Sequence, residues 1–182
     1  MTPTRITVER RTRETDVRVA LRPGTGTADV TTTVPFLDHM LVALARYGAL
    51  DLEVRATGDL RHHLVEDVAL ALGEALARAF PPTGARYAER TVPMDDALVQ
   101  GVLDAGGRPF YEGPLPSQLY DHFMRSTCGA AGFTFHLRVL RGQDRHHIVE
   151  AAFKAFGFCL RDAMRDAGAV FSTKGAIAME IA

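Results

Sequence analysis

The chain has 182 residues, 47% of them apolar and 24% charged, with a formal net charge of −1. That length can bury a substantial core as one domain or two small ones, and that charge gives no global reason to expect nucleic acid or an anionic membrane as partner. Cys128 and Cys159 sit in apolar helical stretches without metal-type spacing, and neither a signal-like run nor a membrane-length apolar run is seen, so the expectation is a cytoplasmic protein without disulfides.

Alternating residues at 5–11 (RITVERR) and 15–22 (TDVRVALR) predict two strands. Leu37, Met40, Leu41, Leu44 and Ala45 have helical spacing, which predicts a helix over 37–47. A strand over 49–56 and a helix over 62–80 follow, the helix ended by Pro81-Pro82. Pro81-Pro82-Thr83-Gly84 marks a boundary between a first half, 1–82, and a second, 83–182, packed together as one globular unit. The second half is predicted to hold strands over 97–105 and 108–113, a helix near 117–129, a strand over 132–140 and a helix from 146 to about 167.

The halves are copies of one pattern. Asp38-His39 lies over Asp121-His122, each followed by a glycine, Gly48 or Gly132, and then by an alternating segment. His62-His63-x-x-Glu66 begins 23 residues after His39, and His146-His147-x-x-Glu150 begins 24 residues after His122. The expected fold is therefore α+β, a tandem duplication in which each half is a mixed or antiparallel sheet with two helices on one face.

Six of the seven histidines occupy repeated positions. On a helix, His62 and His63 stand four and three residues before Glu66, so each can share a face with it. The two imidazoles diverge by about 100°, an arrangement suited to two ions, or to one ion here and another at a neighbouring subunit's surface. Six imidazoles and two carboxylates can hold two ions and leave positions open for substrate; imidazole admits Zn, Fe, Ni or Cu, and carboxylate brings Mn into range. Asp38 and Asp121 are expected to cap helices or support the histidines, and His136, unmatched in the repeat, is expected to be structural.

The ordered motifs resemble those of the imidazoleglycerol-phosphate dehydratase family over nearly the whole chain. They are Arg11-x-Thr-x-Thr with Glu14, Pro35-Phe-Leu-Asp-His-Met-Leu, His62-His63-x-x-Glu66-Asp67, Pro93-Met-Asp-Asp-Ala-Leu, Gly107-Arg-Pro, Asp121-His-Phe-x-x-Ser, His146-His147-x-x-Glu150-Ala151 and Ser172-Thr-Lys-Gly. The resemblance implies a ribosomal protein S5 domain 2-like fold and a lyase of histidine biosynthesis. Its reaction converts D-erythro-imidazole-glycerol phosphate to imidazole-acetol phosphate through an imidazolate, diazafulvene-like intermediate. It further implies two manganese ions per site, and a homo-oligomer of 24 subunits built from trimers with sites at subunit interfaces. Carried over residue by residue, the metal ligands are His39, His62, His63, Glu66, His122, His146, His147 and Glu150. Glu14 is the acid/base residue, and Arg86, Arg108, Ser172 and Lys174 hold phosphate. The run Gly58-Asp59-Leu60-Arg61 before His62 is shorter than in the family, so one acidic partner of the histidines is expected to be missing there. A paralogue acting on another compound should lack the phosphate-binding residues, and a metal-storage assembly would have no use for them or for Glu14.

Overall fold

The structure, a computed structural model, describes residues 4–169. The alternation read from the sequence builds two sheets. In the first half β1 (Ile6–Arg11), β2 (Thr15–Pro23), β3 (Ala28–Thr31) and β4 (Leu50–Gly58) take the order β1-β2-β4-β3. In the second, β5 (Tyr87–Met94), β6 (Ala97–Asp104), β7 (Phe110–Glu112) and β8 (Thr134–Arg141) take the matching order β5-β6-β8-β7. β3 and β7 run parallel to their neighbours and every other pairing is antiparallel.

Each sheet is covered on one face by two helices, α1 (Pro35–Gly48) and α2 (Arg61–Ala79) in the first half, α3 (Gln118–Ala131) and α4 (Arg145–Ala163) in the second. Inward residues such as Val17, Val19, Leu52 and Val54 are buried under them, while the outer face carries ion pairs such as Arg18 with Glu53. The halves meet helix to helix, α2 on α3 and α1 on α4. Glycine sets both crossings. A Cβ on Gly73 would lie 2.4 Å from the Thr127 carbonyl oxygen, and one on Gly157 would lie 2.8 Å from that of Leu44. Any side chain at either position would push the paired helices apart.

One residue of difference between the repeats has a visible cause. β8 shifts register against β6, Leu98 pairing with Arg141 and Val99 with Val139, which leaves Leu140 as a bulge. β4 pairs with β2 without interruption. The extra residue between His122 and His146 is absorbed there, so the second dihistidine motif keeps its place at the start of a helix.

Some expectations change. β3 and β5 were not predicted; both are edge strands with mostly exposed residues, and so carry little alternation. α4 stops at Ala163 rather than near 167, because the amides of Arg86 and Ala85 take the carbonyls of Ala163 and Arg165. The left-handed residue that ends α3 is Gly132, but its counterpart ending α1 is Ala49 (φ 50°), not Gly48. Gly48 instead lies where α1 approaches α4 at Gly157.

Candidate metal centre

The histidines stand where the pattern predicts, at helix N-terminal turns, but they pair across the halves. His39 of α1 meets His146 and Glu150 of α4. Its Nε2 is 3.2 Å from Glu150 Oε2, and His146 Nε2 is 3.1 Å from the same oxygen. The symmetry-related set is His122 of α3 with His62 and Glu66 of α2. There His122 Nε2 is 3.2 Å from Glu66 Oε1, His62 Nε2 is 3.9 Å from Glu66 Oε2, and the two imidazoles stack at 5.3 Å.

Within each cluster one ligand atom per residue lies within 4.8 Å of the others. Adjacent donors on an ion with bonds of about 2.1 Å are about 3 Å apart, so two imidazole nitrogens and a carboxylate oxygen at these separations fit a divalent cation. Three protein donors leave further coordination positions open.

The clusters differ in their surroundings. The Glu150 side chain is 8% exposed and its Oε1 accepts from Lys154 Nζ at 2.8 Å, whereas Glu66 is 37% exposed. Burial alone would raise the Glu150 pKa, but the bonds from Lys154 and His39 offset that and hold it below the ordinary value.

The second histidine of each pair points away from its cluster, the two rings of a pair inclined at 74° and 71°. His63 Nδ1 is 3.1 Å from Asp59 Oδ1 and 3.3 Å from Glu14 Oε2. His147 Nδ1 is 2.7 Å from Asp96 Oδ1. The bonds to Asp59 and to Asp96 are the main reason each imidazole holds its proton above the usual pH. Asp96 also accepts the backbone N–H groups of Gln143 (2.6 Å) and Asp144 (3.2 Å), and these with His147 lower its pKa to about 2. A carboxylate on Nδ1–H leaves Nε2 as the ligating nitrogen, the usual support for a metal-bound imidazole.

Asp59 therefore supplies the acidic partner expected to be missing before His62. Its spacing, four residues before His63, was visible in the sequence. Asp96 lay within the Pro93-Met-Asp-Asp motif without a role, and nothing local links it to His147, 51 residues away. Asp38 and Asp121 neither cap the helices nor touch the histidines. They brace the loops leading into α1 and α3 by accepting the N–H groups of Thr32 and Leu115, both at 2.9 Å. His136 stands outside the clusters, 3.2 Å from Glu112 on the outer face of the second sheet.

Arg86 and Arg108 lie at the other end of the molecule. Arg86 donates to Asp104 at the end of β6 (2.6 Å from Nε), and its backbone N–H bonds the carbonyl of Ala163 at the end of α4. His146 begins that helix, and the 17 residues between them span about 25 Å. The Arg108 carbonyl accepts from Thr134 at the start of β8, whose far end leads to the same histidines about 23 Å on. Ser172 and Lys174 fall outside the described residues.

Residues 32–160 match the sequence profile of the family described as imidazoleglycerol-phosphate dehydratase. The imidazoleglycerol-phosphate dehydratase of Salinibacter ruber is 48% identical, covering 97% of this chain and 96% of its own. That of Methanoculleus marisnigri is 45% identical, covering 93% and 97%. Among solved structures, the enzyme of Pyrococcus furiosus in complex with (S)-C348 superposes with a TM-score of 0.85 at 38% identity, covering 93% of this chain and all of that one. The Staphylococcus aureus enzyme gives 0.80 at 28% identity, covering 90% of this chain.

Proposed function

The chain belongs to the imidazoleglycerol-phosphate dehydratase family, and from that premise we propose that its reaction depends on two divalent ions held by the two cross-half clusters. It is a hydro-lyase of histidine biosynthesis. The substrate in this reading is D-erythro-imidazole-glycerol phosphate, the product is imidazole-acetol phosphate, and the ion is manganese, which the carboxylate in each donor set brings into range.

The observation that carries the reading is the pairing of His39 with His146 and Glu150, repeated by His122 with His62 and Glu66. Ions bound there would supply positive charge to stabilise the substrate's imidazole as its ring N–H is lost. No carbonyl acidifies the side-chain proton, so the ring has to accept the electron pair and direct it toward the departing hydroxyl. Glu14, whose carboxylate sits at a turn beside His63, is placed to take that proton and hand it to the hydroxyl that leaves as water. Phosphate would be held by Arg86, Arg108, Ser172 and Lys174, the arginines by forked contacts and the lysine as a point charge.

The separation of the arginines from the histidines supports a site shared between subunits. A small phosphorylated substrate cannot reach across about 25 Å, so phosphate held by Arg86 or Arg108 belongs to a site whose ions another copy supplies. His63 and His147, turned away from their own clusters, are suited to complete those of neighbours. The working unit in this reading is a homo-oligomer, the 24-subunit particle built from trimers, acting in the cytoplasm. Assay on imidazole-glycerol phosphate after chelation and after manganese reloading tests the reading. Activity should vanish and return; a metal-stripped protein that keeps its turnover, or that no divalent ion restores, would overturn it.

A further inference from the structure

Three residues of the sequence signatures have no part in the site as described: Thr12, Thr15 and Asp67. They come together beneath Glu14. Asp67, on α2 directly after Glu66, is only 8% exposed. One of its carboxylate oxygens accepts the Thr15 hydroxyl, and the other accepts Arg10 Nε at 2.7 Å. The Thr15 hydroxyl meets that of Thr12 at 3.0 Å, and Thr12 Oγ1 accepts the backbone N–H groups of Glu14 (3.1 Å) and Thr15 (3.0 Å).

An ionised carboxylate only accepts, which sets the direction of the whole chain. Thr15 donates to Asp67, Thr12 donates to Thr15, and the remaining capacity of Thr12 receives the two amides. The Glu14 carbonyl is held as well, by the N–H of Asp59 at 3.0 Å. The turn lies close against Gly58, where a Cβ would come within 3.0 Å of Thr15 Cγ2. Glu14 is thus fixed at its amide, at its carbonyl and through its neighbour, while its side chain remains 57% exposed.

The duplicated half lacks this device. Ala151 stands where Asp67 would be, and only Asp95 and Asp96 separate β5 from β6, against the three residues 12–14 between β1 and β2. Since the second copy folds to the same topology without the anchor, the fold does not require it. We propose that Asp67, acting through Thr15 and Thr12, is a positioning residue for the Glu14 carboxylate. It ties the acid/base turn to the helix that carries His62, His63 and Glu66, so that proton transfer and ion binding share one frame. The proposal rests on the reading of Glu14 as the acid/base group.

The test compares Thr15→Val, Thr15→Ser, Thr12→Ala, Glu14→Gln and the Glu14→Gln/Thr15→Val pair, all as manganese-loaded enzyme turning over imidazole-glycerol phosphate. Thr15→Val and the surface variant Thr12→Ala should each lower kcat by up to about 100-fold, with KM and bound manganese close to the parent's. Thr15→Ser, which keeps the hydroxyl, should restore kcat, and the double variant should be no slower than Glu14→Gln alone. Parental kcat in Thr12→Ala and Thr15→Val, with Glu14→Gln inactive, overturns the positioning role. Lost manganese in those variants overturns it too, since the anchor would then serve the ions. Parental kcat in Glu14→Gln overturns the acid/base reading itself.

Discussion

His39 Nε2 lies 3.2 Å from Glu150 Oε2, although 111 residues separate the two along the chain. The contact pairs the first half's lone histidine with the second half's dihistidine helix, and His122 with Glu66 is its mirror. His39→Ala should therefore weaken the same ion as His146→Ala. Manganese titration of the single and double variants should give a non-additive pair, coupled by about 0.5–3 kcal/mol. His39→Ala combined with His62→Ala should be additive. The reverse pattern would mean that each half holds its own ion.

Asp96 gathers His147 and the approach to α4 onto one carboxylate. Asp96→Asn keeps the shape but loses the charge that orients the imidazole. Manganese affinity should fall about 10–100-fold, read by titration with the free ion detected by electron paramagnetic resonance. Unchanged affinity would leave Asp96 as a loop brace alone.

A site shared between subunits can be tested by complementation. Arg108→Ala and His146→Ala should each be inactive as pure assemblies. Unfolded together and refolded, they should regain activity, because some sites then draw an intact arginine from one copy and intact ligands from another. Mixtures that stay inactive while forming mixed assemblies would place both groups in one copy's site.

Acid sensitivity should have a structural component away from the metal centre. The Asp162 side chain, 8% exposed, accepts Arg90 Nε at 2.7 Å and Arg161 Nε at 3.2 Å. Burial alone would raise its pKa, but the guanidinium bonds outweigh burial and lower it below the ordinary value. A pKa lower in the folded than in the unfolded state stabilises above about pH 4 and ceases to do so as the pH falls through the depressed value. Asp162→Asn should cost about 1–2 kcal/mol at pH 7 by urea unfolding, after discounting the half-exposed arginines. The gap from the parent should close below about pH 4.

The donor types, the duplication and the family were legible in the sequence because they depend on local spacing. His62 to Glu66 is one helical turn wherever the helix lies, and alternation marks the strands that bury one face. The edge strands β3 and β5 escaped because exposed residues carry little pattern. Which donors share an ion was not legible. It follows from α1 crossing α4 and α2 crossing α3, contacts made close by Gly157 and Gly73, whose partners lie on helices of the other half. The same holds for Asp96 under His147, for Asp67 beneath the Glu14 turn, and for the distance that parts Arg86 and Arg108 from the histidines. Local spacing determined what each residue can bind. Only the packing of the halves decided which residues meet, since long-range contacts are set by the whole core and leave no periodic trace.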